Sequence, residues 1–160
     1  MPRVALLIAS ALLAFGCGGA RAARKLEGRY DIGAPGEGWR AVRSGGADHA
    51  WNNRDLSATL YVDSNCAERY EDDALDGLLN SLVRGIARGA PLTETPGTLD
   101  GRDALTRTWD GALDGVAVRV AASVSKKDFC TYDIVYIAPP SKFDAGLAAM
   151  DAVASGFRSR

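Results

Sequence analysis

The stretch VAVRVAASVSKKDFCTYDIVYIA, residues 116–138, decides the fold. Its first half alternates apolar and other residues at every second position, which is the period of a β-strand. KKDF at 126–129 interrupts this pattern as a turn, and Ile134 to Ile137 is continuously apolar. A continuous apolar run predicts a strand covered on both faces, so we expect a central strand there. The first half of the stretch should form a strand with one face toward the core. The side chains on that inward face are Val116, Val118, Val120, Ala122 and Val124.

Turn signals continue the same pattern toward the N-terminus. Asp-Gly pairs stand at 100/101, 110/111 and 114/115, and Asp-Gly favours tight hairpins. We therefore predict an antiparallel meander from Thr95 to Ala138. A further strand is predicted from Leu56 to Asp63, where apolar and polar residues again alternate.

Two segments carry the period of an amphipathic helix instead. The first runs from Asp72 to Gly89, where glycine followed by Pro91 predicts the end of the helix. Its apolar stripe is Leu75, Leu78, Leu79, Leu82, Val83 and Ile86. The second follows Ser141, a predicted N-cap with Asp144 completing a capping box. Its predicted buried stripe is Phe143, Leu147, Met150, Ala154 and Phe157.

These elements predict an α+β domain over residues 28–160, in which two main helices flank a mostly antiparallel sheet of five to seven strands. The order of elements resembles the PsbP-like fold, named after an extrinsic photosystem II subunit. The opening YDIGAPGEGW, with Tyr30, Pro35 and Trp39, is similar to the aromatic-Pro-Trp opening of that fold. The resemblance implies an adaptor or assembly domain with α/β/α layering, and it brings no catalytic residues with it.

The N-terminus has the layout of a secretory signal, residues 1–16. Arg3 precedes an uncharged run from Val4 to Phe15, and small residues follow. A helix needs about 20 apolar residues to cross a bilayer, so this run is too short for a resident membrane span. We therefore expect an exported protein.

The sequence LLAFGC, ending at Cys17, resembles the lipobox of bacterial lipoproteins. That resemblance implies lipidation at Cys17, and residues 17–27 would then form a tether that reaches about 35 Å when extended. An aspartate directly after the lipidated cysteine resembles a signal for retention in the inner membrane. This chain has Gly18 at that position, which implies an outer-membrane lipoprotein facing the periplasm. The alternative is cleavage at the A-x-A site after Ala22, which would release a soluble periplasmic protein.

The other two cysteines, Cys66 and Cys130, form an even pair in a protein expected to meet an oxidising compartment. We predict a structural disulfide between them, since no C-x-x-C motif suggests redox exchange. The alternative is two separate buried thiols.

Composition and motifs give no indication of catalysis. Nineteen Lys and Arg residues balance twenty Asp and Glu residues, so no basic field favours nucleic acid. His49 is the single histidine, which argues against a multi-histidine metal site, and the catalytic motifs we sought do not occur. The aspartates at 72, 73 and 76 fit a helix N-terminus better than a calcium loop. We expect neither a cofactor nor enzymatic activity; the alternative is a hydrolase without a recognisable motif.

One mixed surface is the candidate binding site. Arg107 and Trp109 share one side of a strand with Leu105, and an arginine between large apolar residues is typical of interfaces. Arg119 joins this surface if the strand register allows it, and the alternative is a core Trp109 covered by an arginine stem. We thus expect a membrane-tethered module that binds another envelope protein or a small ligand.

Overall fold

The computed structural model describes residues 30–43, 45–66 and 73–160, so Cys17 and the predicted signal and tether lie outside the described residues. The strands are β1 (Tyr30–Asp31), β2 (Arg40–Ala41), β3 (His49–Asn53), β4 (Ala58–Cys66), β5 (Thr93–Leu99), β6 (Arg102–Leu113), β7 (Val116–Lys127), β8 (Cys130–Ala138) and β9 (Arg158–Ser159). The helices in this part of the chain are α1 (Leu75–Leu82) and α2 (Phe143–Ser155).

Seven strands form one antiparallel sheet in the order β2-β3-β4-β8-β7-β6-β5. The predicted α+β class is confirmed, and so is the position of β8 at the centre of the sheet. The predicted meander is observed as β5 to β8, with Leu105 opposite Val124 and Val120 opposite Ile137. A second, two-stranded sheet pairs β1 with β9 and brings Tyr30 beside Ser159.

The sheet separates two apolar cores because successive side chains of a strand point to opposite faces. On the α2 face, Ile134 and Tyr136 of β8 belong to the same buried cluster as Val153. On the α1 face, Val135 of β8 clusters with Leu79 of α1. Both faces of β8 are therefore covered, as its continuous apolar run predicts.

The inward face predicted for β7 is correct over most of its length. Val118, Val120, Ala122 and Val124 are buried, but Val116 is 66% exposed because it lies beside the tip of the β6–β7 hairpin. The opposite side of β7 is also covered along its middle, where Ala121 and Ser123 are buried.

Two of the three predicted Asp-Gly turns are present. Asp100–Gly101 joins β5 to β6 and Asp114–Gly115 joins β6 to β7, with positive φ at all four residues. Asp110–Gly111 is not a turn, because both residues lie inside β6. Gly111 is needed there for another reason: a Cβ atom at this position would lie 2.2 Å from the carbonyl oxygen of Ile86.

Helix α1 is shorter than predicted at its C-terminal end. It ends at Leu82, and Gly85 has a φ of +90°, which a helix cannot accommodate. The following residues instead pair with β6: the amide of Arg88 donates to Asp110 O and that of Ala112 donates to Ile86 O. Ile86 still packs on the α1-side core, but from a turn.

Helix α2 is observed where it was predicted, with a different start. Pro140–Lys142 form a 3₁₀ turn, and no side chain caps α2, so the predicted capping box of Ser141 and Asp144 is wrong. Phe143, Met150 and Phe157 are buried as predicted. Strand β4 likewise lies slightly further along the chain than the predicted Leu56–Asp63, and Leu56 packs on the α2-side core from the preceding turn.

Candidate functional site

Trp109 belongs to the interior. It is 2% exposed and lies in the α1-side cluster with Leu79 and Val83. Since burial on this scale leaves no ring surface for a partner, the core alternative is the correct interpretation of Trp109.

Arg107 and Arg119 each have a structural partner. Arg107 Nε donates to Glu94 Oε2 at 2.6 Å, and its Nη1 lies 3.5 Å from Asn80 Oδ1 of α1, which links the helix to β5 and β6. Arg119 donates from Nε to Asp110 Oδ1 at 2.7 Å and from Nη2 to Oδ2 at 3.2 Å. These hydrogen bonds from Arg119 lower the pKa of the Asp110 carboxyl group.

The two arginines lie on opposite faces of the sheet. Arg107 pairs with Ala122, on the α1 face, whereas the Arg119 guanidinium lies 5.7 Å from the centre of the Phe143 ring at the start of α2. The predicted surface of Arg107, Trp109 and Arg119 therefore does not exist as one patch. Strand register, which the sequence did not fix, places Arg119 on the other side.

The disulfide prediction is confirmed. Cys66 and Cys130 are bonded, with Cα atoms 4.0 Å apart, and they are separated by 64 positions in sequence. They are cross-strand neighbours, since Cys66 ends β4 and Cys130 begins β8. The bond thus fixes the central strand to its neighbour.

A more promising site is a groove at the β2–β3 edge of the sheet, which we call the edge groove. Its volume is about 340 Å³. The residues that line it are Ala41, Val42, Arg43, Ala47, Asp48, His49, Ala50 and Trp51. Small apolar side chains form much of the wall, and Arg43, Asp48 and two rings supply its polar and aromatic groups. The wall thus combines apolar surface with a few polar and aromatic groups.

The two rings of the edge groove stack on each other. His49 and Trp51 have centroids 6.0 Å apart and planes 13° from parallel. Both lie on the α2 face of β3, because they are two residues apart and pair with Val62 and Leu60. Trp51 packs partly on the core while His49 is exposed, so the core holds the stack in place and solvent reaches it.

A hydrogen-bonded carboxylate supports the stack. Asp48 Oδ2 accepts the hydroxyl of Tyr30 at 2.9 Å and that of Ser64 at 2.5 Å. The Tyr30 ring meets His49 edge-on, with centroids 5.7 Å apart. Tyr30 of β1 therefore ties Asp48 and the first residue of β3 to the separate β1–β9 sheet.

The polar groups of this network are engaged within the domain. Ser64 is fully buried and its hydroxyl donates to Asp48, so its oxygen cannot reach a substrate carbonyl. His49 faces rings on two sides, Trp51 and Tyr30.

Sequence reasoning did not find this site, although one signal was available. In DHAWNN, the alternation places His49 and Trp51 on one face of a strand. The contribution of Tyr30 could not be seen, because it comes from 18 residues away through the separate β1–β9 sheet.

Within residues 30–43, 45–66 and 73–160, no group of three His, Cys, Asp or Glu side chains is arranged to hold a metal ion. No helix in those ranges has the length and apolar character needed to cross a membrane.

The chain is similar to known proteins in its fold. No protein-family model matches the sequence, and no curated protein sequence matches it either. Among solved structures, it is similar to LpqN of Mycobacterium tuberculosis, with a TM-score of 0.59, 12% identity, and coverage of 82% of this chain and 84% of that one. It is also similar to the cyanobacterial PsbP protein CyanoP of Synechocystis sp. PCC 6803, with a TM-score of 0.53, 16% identity, and coverage of 91% and 100%. The fold is thus PsbP-like.

Proposed function

We propose that this protein is an exported lipoprotein, anchored through Cys17, whose domain binds a partner in the cell envelope without performing chemistry. The single observation that carries the binding role is the His49–Trp51 stack in the edge groove, in which His49 is exposed and Trp51 is half-buried. Tyr30, which donates to Asp48, and the core hold this stack. Arg43 adds a cation at the rim. The expected ligand is an envelope protein segment or small molecule that presents a flat apolar face and a polar group.

The disulfide supports export. Disulfides such as the Cys66–Cys130 bond form and persist mainly in oxidising compartments outside the cytoplasm. The position of this bond between two neighbouring strands gives it a structural purpose there. LpqN, which shares the fold, is described as involved in cell envelope biogenesis, which agrees with a place in the envelope. The outer membrane is the proposed location, with the protein facing the periplasm.

The anchor is tested by metabolic labelling with a fatty acid, followed by mass spectrometry of the N-terminus. The wild type should carry an acylated Cys17, and Cys17→Ala should lose both the label and membrane fractionation. Detection of an unmodified chain beginning at Ala23 would contradict the lipid anchor and support the soluble periplasmic alternative.

The binding role is tested with the full-length protein by cross-linking and pull-down from solubilised envelopes. The double substitution His49→Ala, Trp51→Ala should lose the captured partner while keeping the fold. Arg119→Ala is a suitable control, because it removes a half-buried arginine on the same face that does not line the groove. Equal capture by the wild type and the double variant would contradict the assignment of the site.

A further inference from the structure

The two outer strands of the large sheet differ in what they offer to a further strand. The sheet begins with β2 and ends with β5, so in the described part of the chain each has one side without a neighbouring strand. Backbone N–H and C=O groups on such an open side can pair with another chain. The residues that point there follow from the ladder, because hydrogen-bonded and non-hydrogen-bonded pairs alternate along antiparallel strands.

Strand β5 is blocked by a proline. Leu99 pairs with Arg102 across a two-residue turn, so this pair is hydrogen-bonded between β5 and β6. Counting back along β5, Pro96 falls in a non-hydrogen-bonded pair, and its nitrogen points to the open side. Proline has no N–H to donate, and this is a common protection of an edge strand against further pairing.

Strand β2 presents donors and acceptors on its open side. The amide of Val42 donates to the carbonyl oxygen of Ala50 at 2.9 Å, so Val42 turns its backbone groups toward β3. Ala41 and Arg43 are its neighbours in sequence, so their N–H and C=O groups point away from β3. Both residues also line the edge groove. An extended chain that pairs with β2 would therefore run along this groove.

The side chains beside this open backbone reinforce the same position. Ala41 pairs with Trp51, so Ala41 and Arg43 share the α2 face with the His49–Trp51 stack. Because Ala41 is small, a large side chain placed opposite it on an added strand can reach Trp51. Val42 points to the other face and is 39% exposed, and an added strand would cover it.

The charge of this edge indicates the chemistry of the partner. Arg43 is exposed, and among the described residues its guanidinium has no hydrogen-bonded or ionic partner. A carboxylate opposite Arg43 would supply a charge-assisted, bidentate partner. The matching segment thus carries an acidic residue and a large apolar residue two positions apart, since positions of one face alternate along a strand.

A second copy of this chain fits the edge less well. Pairing β2 with β2 of another copy would bring Arg40 and Arg43 of both chains to one seam, where like charges repel. Pairing β2 with β5 of another copy would meet Pro96, which lacks the N–H that the ladder needs.

We infer that the partner binds by strand addition, in which an extended segment pairs its backbone with Ala41 and Arg43 of β2. Its acidic side chain contacts Arg43, and its large apolar side chain packs on Trp51. This inference rests on the proposed binding role of the edge groove and names the class of partner that fills it, an extended protein segment with acidic and apolar residues.

A defined peptide tests the inference on the full-length protein in detergent. The probe is the capped, fluorescein-labelled peptide Thr-Glu-Thr-Phe-Thr-Glu-Thr, which has a carboxylate two positions from the ring in either strand direction. The comparison peptide has lysine in place of both glutamates. We expect fluorescence anisotropy to show binding of the acidic probe and at least about tenfold weaker binding of the lysine peptide. Equal binding of the two peptides, or no binding of the acidic probe, would overturn the inference.

Proline substitutions test the backbone pairing. Ala41→Pro removes an N–H that points to the open side of β2 and leaves the ladder with β3 intact. Thr98→Pro is the matched control, because the N–H of Thr98 also points to an open side, that of β5. We expect Ala41→Pro to bind the acidic probe about tenfold more weakly, while Thr98→Pro binds it like the wild type. Equal binding by Ala41→Pro and the wild type would contradict strand addition.

Hydrogen exchange of the wild type gives a measurement that needs no variant. The amides of Ala41 and Arg43 should exchange quickly in the free protein and slowly with saturating probe. The amide of Val42, which is hydrogen-bonded to Ala50, should be protected in both states. If the probe binds and both outward amides stay in fast exchange, it lies in the groove as a compact ligand, and strand addition is wrong.

Capture of the envelope partner separates this inference from the proposed function. If His49→Ala, Trp51→Ala loses the partner and Ala41→Pro keeps it, strand addition fails and the edge groove remains the binding site. If the double variant keeps the partner, both fail. A dimer in sedimentation that Ala41→Pro converts to a monomer would assign the edge to a second copy and overturn the inference.

Discussion

At the scale of single residues, burial distinguishes the tryptophans that build the domain from those that could serve a ligand. Trp109 is enclosed between β6, β7 and α1, whereas Trp51 lines the edge groove. We expect Trp109→Ala to lower the free energy of unfolding by about 3–5 kcal/mol, the range for removing a large aromatic from a core. Urea unfolding followed by circular dichroism measures this loss.

Trp51→Ala is the matched comparison. Trp51 is half-buried, so its removal should cost clearly less stability than that of Trp109 while weakening partner capture. A folded Trp109→Ala variant of near wild-type stability would show that the ring contributes little to the core and would reopen the question of its role.

Asp100 gives a prediction for pH at the same scale. Its carboxylate accepts from Lys127 and from the hydroxyl and amide of Ser159, and these hydrogen bonds lower its pKa from 3.8 to about 2. A group whose pKa is lower in the folded state contributes stability above its unfolded pKa and loses it on acidification. This contribution should therefore disappear as the pH falls from about 4 to about 2.

Asp100→Asn is the variant to measure, because asparagine tolerates the left-handed backbone at this turn, where φ is +49°. We expect the variant to be less stable than the wild type at neutral pH. Near pH 2 the two proteins should have similar stability. Thermal midpoints across that range give the comparison. A difference that does not change with pH would mean that the charge of Asp100 is not what stabilises the turn.

At the scale of secondary-structure elements, the disulfide determines how firmly β4 and β8 are joined. Closing a loop of 64 positions should stabilise the fold by about 4 kcal/mol in the chain-entropy model. We therefore expect the double variant Cys66→Ala, Cys130→Ala to unfold at clearly lower urea. Dithiothreitol should produce the same loss in the wild type and none in the double variant. Identical midpoints for reduced and oxidised wild type would contradict the prediction.

The elements also show what local patterns can predict. Local patterns were sufficient to place β7, β8 and α2. Each pattern of apolar residues reflects which side chains of that segment are buried, and this depends on the segment alone. The end of α1 was not predictable in this way. Ile86 fits the helical stripe but belongs to a turn, because Gly85 and the pairing of Arg88 with β6 end the helix earlier. That pairing joins segments more than 20 residues apart.

The candidate site depended even more on such distant contacts. Alternation correctly placed Arg107 and Trp109 on one face, but the face of Arg119 followed from the pairing of Asp110 with Arg119. The edge groove likewise includes a distant contact, the hydrogen bond from the Tyr30 hydroxyl to Asp48. A sequence pattern predicts which residues share a face of one strand. A site combines residues from several elements, and their relative positions depend on strand pairing that the pattern does not contain.

At the scale of the whole molecule, the two ends of the described chain close on each other. Strand β1 pairs with β9, Arg160 forms an ion pair with Asp31, and Ser159 donates to Asp100. This closure fixes the position of β1, the first described element. It also positions Tyr30, whose hydroxyl holds Asp48 in the edge groove.

Deleting residues 158–160 tests this closure. The deletion removes β9 and the partners of Asp31 while leaving Phe157, which is buried against Tyr30 and Tyr132, in place. We expect faster hydrogen exchange in the Tyr30–Asp31 segment and unchanged protection in β8, because the central strand keeps both neighbours. Ser159→Ala, which keeps the backbone pairing and loses only the hydroxyl donor to Asp100, should leave the exchange of Tyr30–Asp31 near that of the wild type. If the deletion left exchange at Tyr30–Asp31 slow, Phe157 and the ring contacts of Tyr30 would suffice to fix the entry of the chain, and β9 would not be needed to orient it.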